Sequence, residues 1–515
     1  MTDMTDMTDV TEDMTGTTEM SAFDAVLSQG RPFGDSSYVH EQMRGAHLHR
    51  LKKVGDRLPA ARRLLDALAG ADRHREYRAL GDPVVRCAIQ QSLARVTAGA
   101  EVVLPLALCE EVLDATTRHL ESGSADGPSE AGATEAQRLD PEAGPAWFWH
   151  PERRDDAFAQ ALRVLVAREF TDQICAPAPS DVAILRKAAG LLREILPETS
   201  RSALHHTHVI GISPGVGAWA RKSSTSQFRM AGIVFLNQKL LTNPWWVAEH
   251  LLHESLHQKL YDFRHAHSLL VRDVESDHGL PDEVRKVTSL WNSPGLAGTN
   301  RWDPHRSIAA FHVYVHLSLF CTLAERRAPA LESTYGPVDA PHPMTPGRKA
   351  FERAHYLGEQ LHSTTWPELG LAGRGLTDWL TSILQALDPT PPPPGATLHL
   401  LLHRYLREAA KARKALPNPA LERRLAALAE VESASARAIL KATGAPPDEL
   451  ARALSSAPSS FPDLRQAIAT TLTTLAPDGY SLDPLAPHAP RHPDDMVRDM
   501  VESSSHALAT MPEIV

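Results

Sequence analysis

The sequence predicts a mostly α-helical protein with a small β-sheet beside one metal-binding helix, an α+β arrangement with helical N- and C-terminal regions. Three observations predict it. Long stretches repeat apolar residues at the three- and four-residue spacing of a helix face. Two short β-branched or apolar runs, 208–213 and 232–236, read as strands bounded by turn residues. The second run leads within a few residues into a capped helix that carries His253-Glu254-Ser255-Leu256-His257, an HExxH motif. No period of 30 to 45 residues recurs, so a repeat solenoid is not indicated.

In chain order, residues 1–20 repeat an acidic Met-Thr-Asp unit and are expected to be a disordered tail. Residues 21–120 form an N-terminal helical region; within it, 59–70 opens on Pro59 and closes on Gly70 with no breaker between. Residues 121–146 lose periodicity and gather Gly, Ser, Glu and Pro, which predicts a loop or linker. Residues 147–387 are expected to be the domain holding the HExxH motif. Helices are predicted over 155–169 and 181–196 (stopped by Pro197), then over 307–324, 349–361 and 376–387, with a Pro-rich loop over 329–347. Residues 388–397, with the run PTPPPPG, predict a stiff linker, and 398–515 a C-terminal helical region.

The composition excludes several function classes. The net charge is −10 and no basic block stands out, which argues against a nucleic-acid surface. Four cysteines without CxxC spacing imply neither a disulfide framework nor a thiolate zinc site. The N-terminus lacks the apolar segment of a secretory signal, and no uninterrupted apolar run approaches membrane-spanning length. A soluble cytoplasmic protein, neither membrane-bound nor nucleic-acid-binding, is the expectation; oligomeric state is not legible.

The motif carries the chemistry. Asn243 suits an N-cap and Pro244 the first helical position, and the apolar frame from Trp246 to Leu260 has no breaker. Four residues apart on one face, His253 and His257 present both imidazoles to one point, half of a metal site. The competing reading is a chance pair on a His-rich helix that also holds His250, His265 and His267. A third ligand is needed. An extended HExxHxxGxxH site is excluded, since Leu260 and Phe263 stand where Gly and His are required. Glu275, Glu283 and Glu325 are the later glutamates, and His312 and His316 sit in the next apolar helix; any of these remains open on spacing alone. With zinc, Glu254 would be the general base that activates water. With iron, it would be an orienting group or a facial-triad carboxylate.

The run Gly232-Ile-Val-Phe-Leu236, Trp246-x-x-Glu249-His-Leu-x-His253-Glu-Ser-x-His257, Ser293-Pro294, Arg301-x-Asp303-Pro304 and His312 resembles the HExxH-type 2-oxoglutarate-dependent peptide β-hydroxylases that modify ribosomally made peptides. The resemblance spans about residues 205–325, is loose over 79–96 and nearly absent from the C-terminal third. It implies Fe(II) on His253, His257 and His312, with O2 and the cosubstrate 2-oxoglutarate, whose distal carboxylate is held by Arg301. Arg306 is the rival, one position from where the family's second arginine is expected. The implied activity is hydroxylation of a side-chain β-carbon in a precursor peptide, held by strand addition at the edge of the 232–236 sheet. The alternative is a zinc-dependent metalloprotease that removes a leader peptide.

Overall fold

A computed structural model describes residues 20–514 except 101, 141, 143, 153–154, 171–173, 221, 273–283, 295–298, 340, 392–396, 443–459 and 476–492. The predicted acidic tail (all but residue 20) and half of the predicted Pro-rich linker (392–396 of 388–397) therefore lie outside the described residues, as do Glu275 and Glu283.

In chain order the helices are α1 (20–29), α2 (Ser36–Gly55), α3 (Pro59–Gly70), α4 (Arg73–Gly81), α5 (Pro83–Ala98), α6 (Leu106–Glu121), α7 (Ala157–Phe170), α8 (Pro179–Ile195), α9 (Pro197–Leu204) and α10 (Pro244–Ala266). There follow α11 (Pro304–Tyr335), α12 (Gly347–Gln360), α13 (Leu371–Leu387), α14 (Leu398–Lys414), α15 (Pro419–Ala442), α16 (Phe461–Leu475) and α17 (Pro493–Ala509). The strands are β1 (Trp147–Phe148), β2 (Val209–Ser213), β3 (Ser224–Ser226), β4 (Ile233–Asn237), β5 (Val287–Thr288) and β6 (Arg301–Trp302). The fold is mostly α with a small β component, as the periodicity predicts.

The chain divides into two compact units, and the division differs from the predicted domains. The first unit comprises Met1–Leu269, His312–Phe351 and Leu371–Leu387; the second comprises Leu270–Phe311, Glu352–Gly370 and Asp388–Val515. In the first unit the N-terminal helices share one core with the sheet: Leu64, Val85, Ile89 and Leu113 belong to the same buried cluster as Trp147, Phe170, Trp219 and Phe235. Residues 121–146 are therefore not a linker between domains. Glu130, buried, accepts hydrogen bonds from Arg78 and Arg138 and from the Gly127 amide, which staple the loop to α4. A composition rich in Gly and Ser does not reveal a buried ion pair.

The sheet runs in the order β1-β2-β4-β3. β1, β2 and β4 are parallel, with Val209 opposite Ile233 and Ser213 opposite Asn237, while β3 runs antiparallel to β4, with Ser224 opposite Leu236. β4 is thus an interior strand paired on both sides. The edge of this sheet beside β4 is β3, whose three small polar residues carry none of the apolar alternation by which strands are read. Gly232 enters β4 at φ +105°, a region closed to side chains, and a Cβ there would stand 2.6 Å from the Gly81 carbonyl oxygen.

α11 is longer than predicted, continuing through Pro329 to Tyr335 where a Pro-rich loop was expected. Pro329 lies in the exposed last turns, where water can satisfy the carbonyl it leaves unpaired. This helix is long and apolar enough to cross a membrane, but 89% of its most apolar window is buried inside the protein, as in a core helix.

The second unit is built on α14 to α17 and the β5-β6 ribbon, in which Thr288 pairs with Arg301. At its centre the buried Arg465 donates to Glu432 Oε1 at 2.7 Å and to the Tyr405 carbonyl at 2.9 Å, and its guanidinium lies 4.1 Å from the Tyr405 ring centroid.

Candidate metal centre

α10 is fixed before its histidines are considered. Asn243 caps it by accepting from the Trp245 amide at 3.0 Å, and its own amide donates to the carbonyls of Val338 and His342. Further along, Gln258 Oε1 accepts from the Gly232 amide at 2.6 Å and Gln258 Nε2 donates to the Ile233 carbonyl at 3.1 Å. One buried side chain thereby clamps the helix to the start of β4, and the Thr207 hydroxyl donates to Ser255 Oγ at 2.9 Å beside it. A site on such a rail keeps its geometry.

On the partly exposed face, His253 and His257 stand with their Nε2 atoms 3.2 Å apart and their rings nearly perpendicular. Bonds of about 2.1 Å from both nitrogens to one ion would subtend roughly 100° there, between the octahedral and tetrahedral angles. The pair is set for chelation. Protonated on one ring only, the same two atoms can share a hydrogen bond.

Glu254 turns away onto the sheet. Its Oε1 accepts from the Ser224 hydroxyl and its Oε2 from the Ser226 hydroxyl, each at 2.6 Å. Ser224 and Ser226, two apart on β3, face the same side of the strand and so reach the two oxygens together. Burial pushes the Glu254 carboxyl above the usual carboxylate range, with the two serine bonds pulling against that rise.

His312 is buried in α11, and its Nδ1 has no hydrogen-bond partner. Burial drives its imidazole well below the ordinary histidine value, and His316, Lys259 and His257 all push in the same direction. It is a neutral ring with a nitrogen to offer, within the electrostatic reach of His257. His316 Nδ1 donates to the His312 carbonyl at 2.7 Å, which leaves its buried Nε2, without a hydrogen-bond partner, as a second nitrogen on α11 able to ligate. Glu325 accepts from the Gly347 amide at 2.9 Å. Among the described residues no three His, Cys, Asp or Glu side chains stand close enough to enclose an ion. The structure brings the His253–His257 pair together and leaves the third ligand outside that closed grouping. Two imidazoles at chelating separation and a neutral buried third imidazole suit a borderline ion such as Fe(II) or Zn(II).

Arg301 and Arg306 belong to the second unit. Arg301 is exposed on β6, and Arg306 places its guanidinium 4.7 Å from the Trp302 ring centroid. The segment between them starts α11: Asp303 accepts from the Arg306 amide at 2.8 Å, and Pro304 follows at the first helical position.

The sequence reading missed Ser224, Ser226 and Gln258. Alternation of small hydroxyl residues in Ser224-Thr225-Ser226 was the available sign of the first two. Gln258, one residue after the motif on an otherwise apolar flank, was the sign of the third. No protein-family model matches the chain, and no curated protein matches it.

Proposed function

We infer that this protein is an Fe(II)- and 2-oxoglutarate-dependent oxygenase that hydroxylates the β-carbon of a side chain in a ribosomally made precursor peptide. The observation that carries this reading over a zinc peptidase is the placement of Glu254. Both of its oxygens accept serine hydroxyls, which suits an orienting group better than a base that must reach a metal-bound water. A glutamate third ligand finds no support in Glu325, which holds a backbone amide.

When bound, ferrous iron and 2-oxoglutarate would supply the oxidising chemistry. The chain's own part is positional. His253 and His257 would hold the ion, with His312 as the third imidazole, and the Ser224–Glu254–Ser226 contacts would fix the roll of α10 beneath them. β3 is both an edge of the sheet and the strand that grips Glu254, so a peptide strand added along it would lie beside the motif helix. The distal carboxylate of the cosubstrate needs a guanidinium; the sequence resemblance nominates Arg301 and Arg306. All four cysteines are thiols and not disulfides, which suits a reducing compartment and supports a cytoplasmic enzyme.

The test is anaerobic titration of the protein with Fe(II) and 2-oxoglutarate, read by the visible charge-transfer band of chelated ferrous iron, in the wild type and in His257→Ala, His312→Ala and Arg301→Ala. A band lost in the histidine variants is expected. No band, together with tight zinc binding, would overturn the oxygenase in favour of the peptidase.

A further inference from the structure

On the face of α10 that carries Lys259 and Asp262, a second constellation converges on one hydroxyl. Ser36, the first residue of α2, has its Oγ 3.0 Å from His206 Nε2. His206 Nδ1 lies 2.6 Å from Asp262 Oδ2, and Arg86 clamps that carboxylate, donating to Oδ1 at 2.7 Å and to Oδ2 at 3.3 Å. From the other side, Ser202 Oγ is 2.6 Å from Ser36 Oγ, and the buried Lys259 donates to Ser202 Oγ at 2.7 Å. Lys259 also donates to the Gly34 carbonyl, whose oxygen lies 3.2 Å from Ser202 Oγ, and the Ser202 carbonyl, 2.7 Å from Ser36 Oγ, is a second acceptor within reach of the Ser36 hydroxyl.

Proton counting orders these contacts. Asp262 is anionic beside Arg86, so His206 Nδ1 carries the proton and donates to it. Burial holds His206 below the ordinary histidine value, although Asp262 pulls the other way, so Nε2 is a bare acceptor. The hydroxyl beside it is Ser36. Ser36 and Ser202 carry one hydroxyl proton each; with the Ser36 proton turned to His206 rather than to the Ser202 carbonyl, and the Ser202 proton turned to Ser36 rather than to the Gly34 carbonyl, Ser202 accepts from Lys259. The result is one directed chain, Lys259 to Ser202 to Ser36 to His206 to Asp262, in which each bond polarises the next. A passive cap on α2 does not require this chain, because Asp35 already accepts the Ser37 and Tyr38 amides.

Ser36 and Ser202 also line an open cleft of about 410 Å³, together with Ser28, Gln29, Arg201 and Glu198. Arg201 and Glu198 pair with each other at 3.0 Å, and Asp35, the other carboxylate on the cleft wall, pairs with Arg31 at 2.7 Å, leaving a polar cleft without a strong net field. We propose that Ser36 is a nucleophile served by His206 and Asp262, and that this cleft hydrolyses esters of small, uncharged polar acyl groups. Ser36 Oγ would attack the acyl carbonyl carbon while its proton passes to His206 Nε2. The carbonyl–alkoxy bond then breaks, and the departing alcohol takes that proton. Water would cleave the acyl-Ser36 ester in the same manner, its proton passing through His206 back to Ser36 Oγ, so that ester and water become acid and alcohol.

The test is a fluorophosphonate probe on the full-length protein, with the labelled residue mapped by mass spectrometry and p-nitrophenyl acetate hydrolysis followed in parallel. Expected results are labelling at Ser36, none in Ser36→Ala, and labelling at least about 100-fold slower in His206→Gln. A metal chelator should leave labelling unchanged, which separates this site from the metal-dependent reading. Absence of label on the wild type, label on another serine, or a wild-type rate in folded His206→Gln would overturn the proposal. Should His206→Gln fail to fold, the mapping and Ser36→Ala decide it alone.

Discussion

Replacing Glu254 by glutamine tests what the buried carboxylate does. The two serine hydroxyls that donate to it at 2.6 Å can also accept, so glutamine keeps both contacts once one serine rotates. A hydrogen bond to a charged group exceeds a neutral one by about 1 kcal/mol, so two of them lose about 2 kcal/mol. Removing a buried charge offsets part of that loss, because the Glu254 carboxyl is already pushed upward by burial. Stability should therefore stay within about 1–2 kcal/mol of wild type. The rate distinguishes the roles. Loss of a general base costs about 10²–10⁴-fold, whereas disturbing an outer-shell group costs about 10–100-fold. The assay is succinate formed from 2-oxoglutarate with Fe(II) in air, with Ser224→Ala/Ser226→Ala alongside. If Glu254 orients α10, the serine pair and Glu254→Gln should lose activity together, each by about 10-fold. A loss beyond about 10³-fold in Glu254→Gln, with the serine variant near wild type, would refute the reasoning and point to a base.

Acid should destabilise the first unit. Burial lowers His40 to about 4 and His205 and His316 to about 3, so the unfolded chain binds more protons below its ordinary value of 6.5 and stability falls as pH drops through that window. At about 1.4 kcal/mol per pH unit each, the three remove at most about 6 kcal/mol between pH 6.5 and 5, and a urea midpoint that is flat over that range would contradict this. Gln258→Leu strands the Gly232 amide and the Ile233 carbonyl and should cost about 2–4 kcal/mol in chemical denaturation; a change below about 1 kcal/mol would show that the clamp is not needed. In the second unit, Arg465→Met leaves Glu432 and Glu408 buried without their cation. It should cost about 3–5 kcal/mol, and an unchanged melting temperature would argue against it.

The sequence by itself determined the helices, and it did so where local chemistry is strong. Pro59 and Gly70 bound α3 at the predicted residues, and Asn243-Pro244 starts α10 through a side-chain bond to the next turn. The chelating pair was legible for the same reason: residues four apart on one helix meet whatever surrounds them, and their Nε2 atoms stand 3.2 Å apart. The two apolar runs read as strands are β2 and β4. What only the tertiary structure decided are the contacts between residues far apart in the chain. β3 is a strand because it pairs with β4, and it holds Glu254 from about thirty residues away. The buried Glu130 ion pair ties the loop predicted over 121–146 to α4, and the two compact units cut through helices that the sequence presents as continuous. Ser36, His206 and Asp262 meet only when α2, the turn that follows α9, and α10 pack, across 170 and 56 positions of chain. Propensity and periodicity act over a few residues, whereas these groups are brought together by burial of apolar faces, which is non-directional and leaves no local mark in the sequence.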